Sequence, residues 1–263
     1  MIQYAINLCV QVKEFKEKKL MSQIARVKTG IPGLDKMLNG GLPKGRTILL
    51  SGPAGGGKTT LATQFIYRGV LDYGDPGIYV TFDESPATVR QNFASYDWKL
   101  ESLEKENLLA LVDGFSMRAG VASKEKYSIR LEIDDLLTTL IALIDELGAE
   151  RVVIDSLTAL ALSLESESRI RREILKLSAV MSSLKCTTIV TSEMSQSGEI
   201  SRYGVEEFMA SGVIVLDITE VNQRLMRSIY IRKMRGIDHE LVRRPFVLTE
   251  TGCSVLSTET LYK

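Results

Sequence analysis

Net charge is absent from this chain of 263 residues: 33 Lys+Arg are matched by 33 Asp+Glu, and there is one His. A protein that mainly coats nucleic acid or an anionic membrane needs a basic surplus, so neither role is expected beyond a local patch. Cysteine is scarce as well. Cys9, Cys186 and Cys253 stand far apart, odd in number and without a CxxC pair. That excludes a disulfide framework or a paired-thiolate zinc site and points to a reducing compartment. No run approaches the roughly 18 apolar residues of a membrane span. The uncharged stretch Met1 to Val12 is followed, not preceded, by Lys13, Lys16, Lys18 and Lys19, the reverse of a signal peptide. A soluble cytoplasmic protein with no membrane partner is expected.

What is present is an ordinary globular composition, 44% apolar and 25% charged, in a chain long enough for one large domain with a real core. Residues 1–25 differ in texture from the rest and read as an arm leading into the domain at 26–263, with Met21 a second possible start. Within the domain, apolar runs alternate with helical periodicity. Strands are expected at Arg46–Ser51, Gly77–Phe82, Leu108–Val112, Arg151–Asp155 and Cys186–Thr191. Helices are expected at Lys58–Tyr73, from Pro86, at Ile129–Leu147 stopped by Gly148, and at Arg169–Lys185. Three further strands, Val213–Thr219, Ser228–Lys233 and Phe246–Thr249, follow without helices between them. The pattern predicts an α/β fold with a mostly parallel, doubly covered sheet and an antiparallel extension at one edge.

The strongest chemical feature is Gly52-Pro53-Ala54-Gly55-Gly56-Gly57-Lys58-Thr59, a complete GxxxxGKT phosphate loop between a buried strand and a helix. Its glycines let successive backbone N–H groups converge on one anion at a helix N-terminus. Lys58 would reach the β- and γ-phosphates of ATP, Thr59 would place its hydroxyl on Mg2+, and Thr60 joins the nucleotide-binding set. Asp155 ends the apolar strand RVVID, where a carboxylate orients the metal, through water. Asp83 and Glu84 follow the strand GIYVTF and would emerge at the same sheet edge as the loop, where one of them can polarise the attacking water. The same residues also precede Ser85-Pro86, a helix start, and both roles are compatible.

These residues, together with Thr29-Gly30-Ile31-Pro32-Gly33-Leu34-Asp35, Thr191-Ser192-Glu193, Arg202-Tyr203-Gly204-Val205-Glu206-Glu207-Phe208 and Lys233-Met234-Arg235-Gly236 with His239, resemble a KaiC-like domain of the RecA ATPase superfamily. The resemblance runs from about Arg26 to Leu256. It implies a RecA-like P-loop fold and a homo-oligomeric ring, typically a hexamer, with ATP at subunit interfaces. It further implies that Lys233 and Arg235 reach the γ-phosphate of the neighbouring subunit, with His239 beside them, and that Ser192 belongs to the nucleotide site. Asp83 falls where the superfamily has its water-polarising Glu, one methylene short, and Glu84 stands next to it. Glu206-Glu207 occupies the place of the phosphoacceptor pair of the autokinase half, so a hydrolytic domain is expected and no phosphorylation cycle.

Two further functions compete with a regulatory or motor-like ATPase acting on an unidentified protein. A recombinase-like binder of single-stranded DNA would need cations and stacking rings in its central loops. Ser156 to Ser168 holds Glu165 and Glu167 and no base, and Met194 to Gly204 holds only Arg202 and Tyr203. Arg169, Arg171 and Arg172 form a small basic cluster that a solvated helix face explains equally well. An ATP-dependent scaffold with negligible turnover is the other reading.

Overall fold

The computed structural model describes residues 24–130, 132–161, 166–195 and 198–256. The leading arm expected at 1–25 therefore lies outside the described residues except for Ile24 and Ala25. Ala25 accepts a hydrogen bond from the Lys44 amide, 2.7 Å.

The chain opens with the short strand β1 (Arg26–Val27), the one-turn helix α1 (Leu34–Met37) and β2 (Leu42–Pro43), which pairs with β1. Then β3 (Thr47–Gly52) leads through the glycine loop into α2 (Lys58–Tyr73), followed by β4 (Gly77–Thr81), α3 (Pro86–Ala94), α4 (Leu100–Lys105) and β5 (Leu109–Asp113). A single-turn helix α5 (Phe115–Arg118) and β6 (Tyr127–Ser128) precede α6 (Ile133–Leu147), β7 (Arg151–Asp155), α7 (Leu157–Ala161), α8 (Glu167–Ser183) and β8 (Thr187–Glu193). The rest is the short α9 (Glu206–Met209) and four strands: β9 (Gly212–Val221), β10 (Arg224–Met234), β11 (Arg244–Thr249) and β12 (Gly252–Val255).

Among the described residues, ten strands form one sheet in the order β12-β11-β10-β9-β3-β8-β7-β4-β5-β6. From β9 to β6 all neighbours are parallel, and β10, β11 and β12 add on antiparallel. This is the RecA-type α/β arrangement with a C-terminal antiparallel extension. Period-2 alternation assigns the two faces. Ile48, Leu50, Tyr79, Val153 and Ile189 share a core with Phe65 and Ile66 of α2. Ile78, Val80, Val152, Ile154 and Val190 pack instead with α6 and α8 through Leu136, Leu140, Ile174 and Leu177.

Local chemistry accounts for most boundaries. α3 starts on Ser85, whose side chain accepts from the Thr88 amide, with Pro86 in the first turn. α6 ends on Gly148 in the left-handed region, as the sequence indicates. Its start differs: the helix begins at Ile133, not Ile129. Tyr127 and Ser128 pair with β5, and the Ile129 amide donates to the Asp113 carbonyl, 3.1 Å. β9 and β10 run beyond their expected limits because Asn222 and Gln223, both at positive φ, close them into a two-residue hairpin. Among the described residues, no helix is long and apolar enough to cross a membrane.

Candidate active site

In a parallel sheet the loops after the strands' carboxyl ends gather at one edge, and ligands bind there. Gly52, Asp83, Asp155 and Glu193 all lie at that edge. Gly52 is paired with Glu193, and Thr81 with Asp155. The phosphate loop curls as its glycines require. Gly55 and Gly57 are at φ 75 and 100, and the Gly56 amide closes the turn onto the Pro53 carbonyl, 3.1 Å. A Cβ on Gly57 would stand 2.9 Å from Phe246 Cε1, so the loop also depends on close approach to β11. Helix α2 begins on Gly57 with no side-chain cap. Its first amides are thus left for an anion, the arrangement that suits a phosphate.

Lys58 folds back over this concavity, its Nζ donating to the carbonyls of Gly52 (2.8 Å) and Pro53 (3.0 Å). Burial pushes its pKa below the usual lysine range, and the charges of Asp155, Glu193 and Asp83 oppose that shift in part. Asp155 is buried on the α2 face, where Tyr79 donates to Oδ2 (2.7 Å) and Thr191 to Oδ1. Burial first, and then the Asp155 charge, hold the Tyr79 hydroxyl well above its ordinary pKa, so it stays a donor.

The two adjacent carboxylates are handled differently. Arg118 Nη1 donates to Asp83 Oδ1 (3.1 Å) and to the Phe82 carbonyl (3.0 Å). Glu84 instead accepts from Asn92 Nδ2 of α3, 2.8 Å. Lys233 and Arg235 lie elsewhere. β10 runs antiparallel and pairs Met234 with Gly212, which itself pairs with Ile48 near the start of β3. Both cations therefore stand at the sheet edge opposite Gly52. There Lys233 Nζ donates to the Glu207 carbonyl and Arg235 Nη2 to that of Phe208, the latter at 3.3 Å. Burial, followed by the Arg235 charge, lowers the Lys233 pKa.

A phosphate loop on a RecA-type sheet narrows the protein to a large superfamily; sequence comparison narrows it further. The family model for the KaiC ATPase matches residues 27–260. The chain belongs to the KaiC ATPase family. It is 40% identical over 240 residues to a UPF0273 protein of Methanocaldococcus jannaschii, across 90% of this chain and 98% of that one. It is 34% identical over 241 residues to the circadian clock oscillator protein KaiC of Acaryochloris marina, of which those residues cover 45%. The solved KaiC-like protein PH0186 of Pyrococcus horikoshii superposes with a TM-score of 0.79 at 42% identity, over 88% of this chain and 99% of that one. Membership places the chain among nucleotide-binding ATPases.

Within this KaiC-family domain the expected site residues separate into groups. The loop residues, Thr59, Thr60, Asp83 and Asp155 share the carboxyl edge. Ser192 reaches that edge but faces the other side of the sheet, with its hydroxyl 3.3 Å from both Thr158 Oγ1 and Glu206 Oε1. The alternation rule carried the warning: if Thr191 faces Asp155, its neighbour cannot. His239 lies beyond β10, with both ring nitrogens buried and without a partner among the described residues. Two residues at the edge stand outside the expected site set, although Glu193 belongs to the Thr191-Ser192-Glu193 motif. Glu193 is ion-paired with Arg202 at 3.0 Å, and Arg227 donates from Nε to the Gly55 carbonyl, 2.9 Å. Arg227 lies 172 residues from its partner, and no sequence pattern announces it.

No cluster of three or more potential metal ligands exists among the described residues. A hydroxyl (Thr59) and a carboxylate already bridged by two donors (Asp155) nevertheless fit one kind of ion. Mg2+ keeps several waters, binds one or two protein oxygens and takes the rest from substrate phosphates.

Proposed function

We propose that this chain is a Mg2+-dependent ATPase acting as a homo-oligomeric ring, hexameric in the family manner. Each nucleotide is held by the phosphate loop of one copy and completed by Lys233 and Arg235 of the next. The loop amides and Lys58 bind the β- and γ-phosphates, and Thr59 with Asp155 hold Mg2+, which neutralises phosphate charge when bound. Asp83 accepts a hydrogen bond from the attacking water and takes its proton as the water oxygen bonds to the γ-phosphorus. The bond from that phosphorus to the β–γ bridging oxygen breaks, and ADP leaves with its electron pair. Arg235 offsets the charge that spreads over the transferring group, an effect of about 10³–10⁵ in rate in related phosphoryl transfers. The domain works inside the cell on a protein partner that it regulates or moves.

The observation that carries the ring reading is the antiparallel course of β10. At the far edge from Gly52, Lys233 and Arg235 can serve a phosphate only on another copy. Mixing two inactive variants tests this. Lys58→Ala and Arg235→Ala should each abolish or strongly suppress ATP hydrolysis alone. Combined in equal amounts they should recover about one quarter of wild-type sites, the random frequency of an intact Lys58 beside an intact Arg235 in a head-to-tail ring. No recovery, with mixed oligomers demonstrated by mass, would refute action between subunits.

A further inference from the structure

We infer that Arg118 is a positioning residue for hydrolysis: it fixes the Asp83 carboxylate from within the same subunit and leaves one oxygen of it free for the attacking water. The inference rests on the reading of Asp83 as the water-polarising group. One nitrogen, Nη1, holds both the last carbonyl of the Gly77–Phe82 segment and Asp83 Oδ1. The carboxylate is therefore pinned to the backbone that bears it, and its rotation about Cα–Cβ is restrained. Oδ2 accepts no bond from a described residue. Asp83 is half exposed, and without such a restraint a short side chain there would sample several rotamers.

The support under Arg118 is built, not incidental. Asp113, buried at the end of β5, accepts from the Ser116 amide (2.9 Å) and from Ser123 Oγ (2.6 Å), so it ties both ends of the α5 segment. Burial alone would raise the Asp113 pKa; the Ser116 and Ser123 hydrogen bonds outweigh it and hold the carboxyl below its ordinary value. Gly114 lets this segment lie against the strand that ends beside Asp83. Its amide donates to the Thr81 carbonyl at 2.9 Å, and a Cβ there would meet the Phe82 ring at 2.5 Å. Phe82 in turn donates from its amide to the Asp155 carbonyl, 2.7 Å. Arg118, Asp83 and Asp155 are thus set by three backbone segments hydrogen-bonded to one another, which relates the carboxylate that would meet the water to the one that would meet the metal.

The division of labour also follows from charge. Asp83 near a nucleotide's terminal phosphate is repelled by it, and the Arg118 guanidinium offsets that repulsion in place. A general base acts only from correct geometry, and loss of its support lowers turnover with little effect on substrate binding.

The test uses the full chain, with labelled phosphate release to resolve slow rates and a fluorescent ATP analogue for binding. Arg118→Ala should lower kcat by about tenfold or more while KM and analogue affinity stay within about twofold. Arg118→Lys, which keeps a donor and the charge, should recover part of the loss. In an Asp83→Asn background, Arg118→Ala should cost almost nothing further, since its target is gone. An unchanged or faster kcat in Arg118→Ala would overturn the inference, the faster one marking the pair as a restraint on Asp83. An equal fold loss in both backgrounds would overturn it too. If Asp83→Asn alone leaves kcat intact, it is the reading of Asp83 that fails.

Discussion

Gly69 in the middle of α2 offers a sign reversal that depends on one neighbour. Replacing a helix-interior glycine by alanine ordinarily stabilises a protein by about 0.5–1 kcal/mol. Here the new Cβ would lie 2.4 Å from both Cδ and Nε of Arg151 and 2.7 Å from its Cζ. Arg151 cannot yield cheaply. It is fully buried, donates from Nε (2.9 Å) and Nη2 (2.7 Å) to Asp75 and from Nη1 to the Phe65 carbonyl (2.9 Å), and stacks over the Phe65 ring. Overpacking of this kind costs about 1–3 kcal/mol. Damage to a buried ion pair reaches about 3–5 kcal/mol, less where one partner can rehydrate, as Asp75 with a side chain 26% exposed can. Gly69→Ala should therefore destabilise by about 2–4 kcal/mol net, a fall in Tm on the order of 5–15 °C. Thermal melts at fixed protein concentration measure it, since assembly would otherwise shift Tm. In an Arg151→Ala background the clash is gone, and Gly69→Ala should become neutral or stabilising. Equal destabilisation in both backgrounds would refute the reasoning, because the cost would then lie in the helix itself.

Lys58→Ala should abolish Mg2+-dependent ATP hydrolysis measured by phosphate release; undiminished turnover would remove the phosphate loop from the mechanism. Burial pushes the Cys253 thiol up from its ordinary 9.0 to about 12. The folded protein thus keeps a proton that the unfolded chain releases, and this contribution is intact below pH 9 and lost as pH rises toward 12. The stability difference between wild type and Cys253→Ala should shrink by about 1.4 kcal/mol per pH unit across that window. Parallel denaturation midpoints from pH 8 to 11 would contradict it.

The sequence revealed most where chemistry is contiguous. The phosphate loop needs glycines, lysine and threonine at fixed offsets along the chain, and the helix at Lys58–Tyr73 and the strand at Arg151–Asp155 have the bounds their patterns imply. What it concealed is set by tertiary approach. Ile129 fits the helical period of α6, yet β6 pairing with β5 takes the chain away from helix until Ile133. Arg118 reads as one more surface cation, because Asp83 is 35 residues distant. Arg227 and Glu193 acquire their places from the sheet order, which no local periodicity encodes. Asp83 and Glu84 are indistinguishable as neighbours in sequence; α3 and α5 tell them apart by drawing each toward a different partner.

β10 has a geometric consequence of its own. Arg227 on this strand meets the Gly55 carbonyl of its own phosphate loop, and Arg235, beyond the strand's end, stands at the opposite edge. Eight residue steps separate them, at most roughly 26 Å at the usual strand rise, with the register shift between Ile231 and Lys233 taking up one residue. That length is covalent and does not stretch. If one copy's Arg235 serves the next copy's nucleotide, the strand acts as a gauge block that fixes the spacing between successive phosphate sites. Any rearrangement of the ring must then turn about β10 without changing its length.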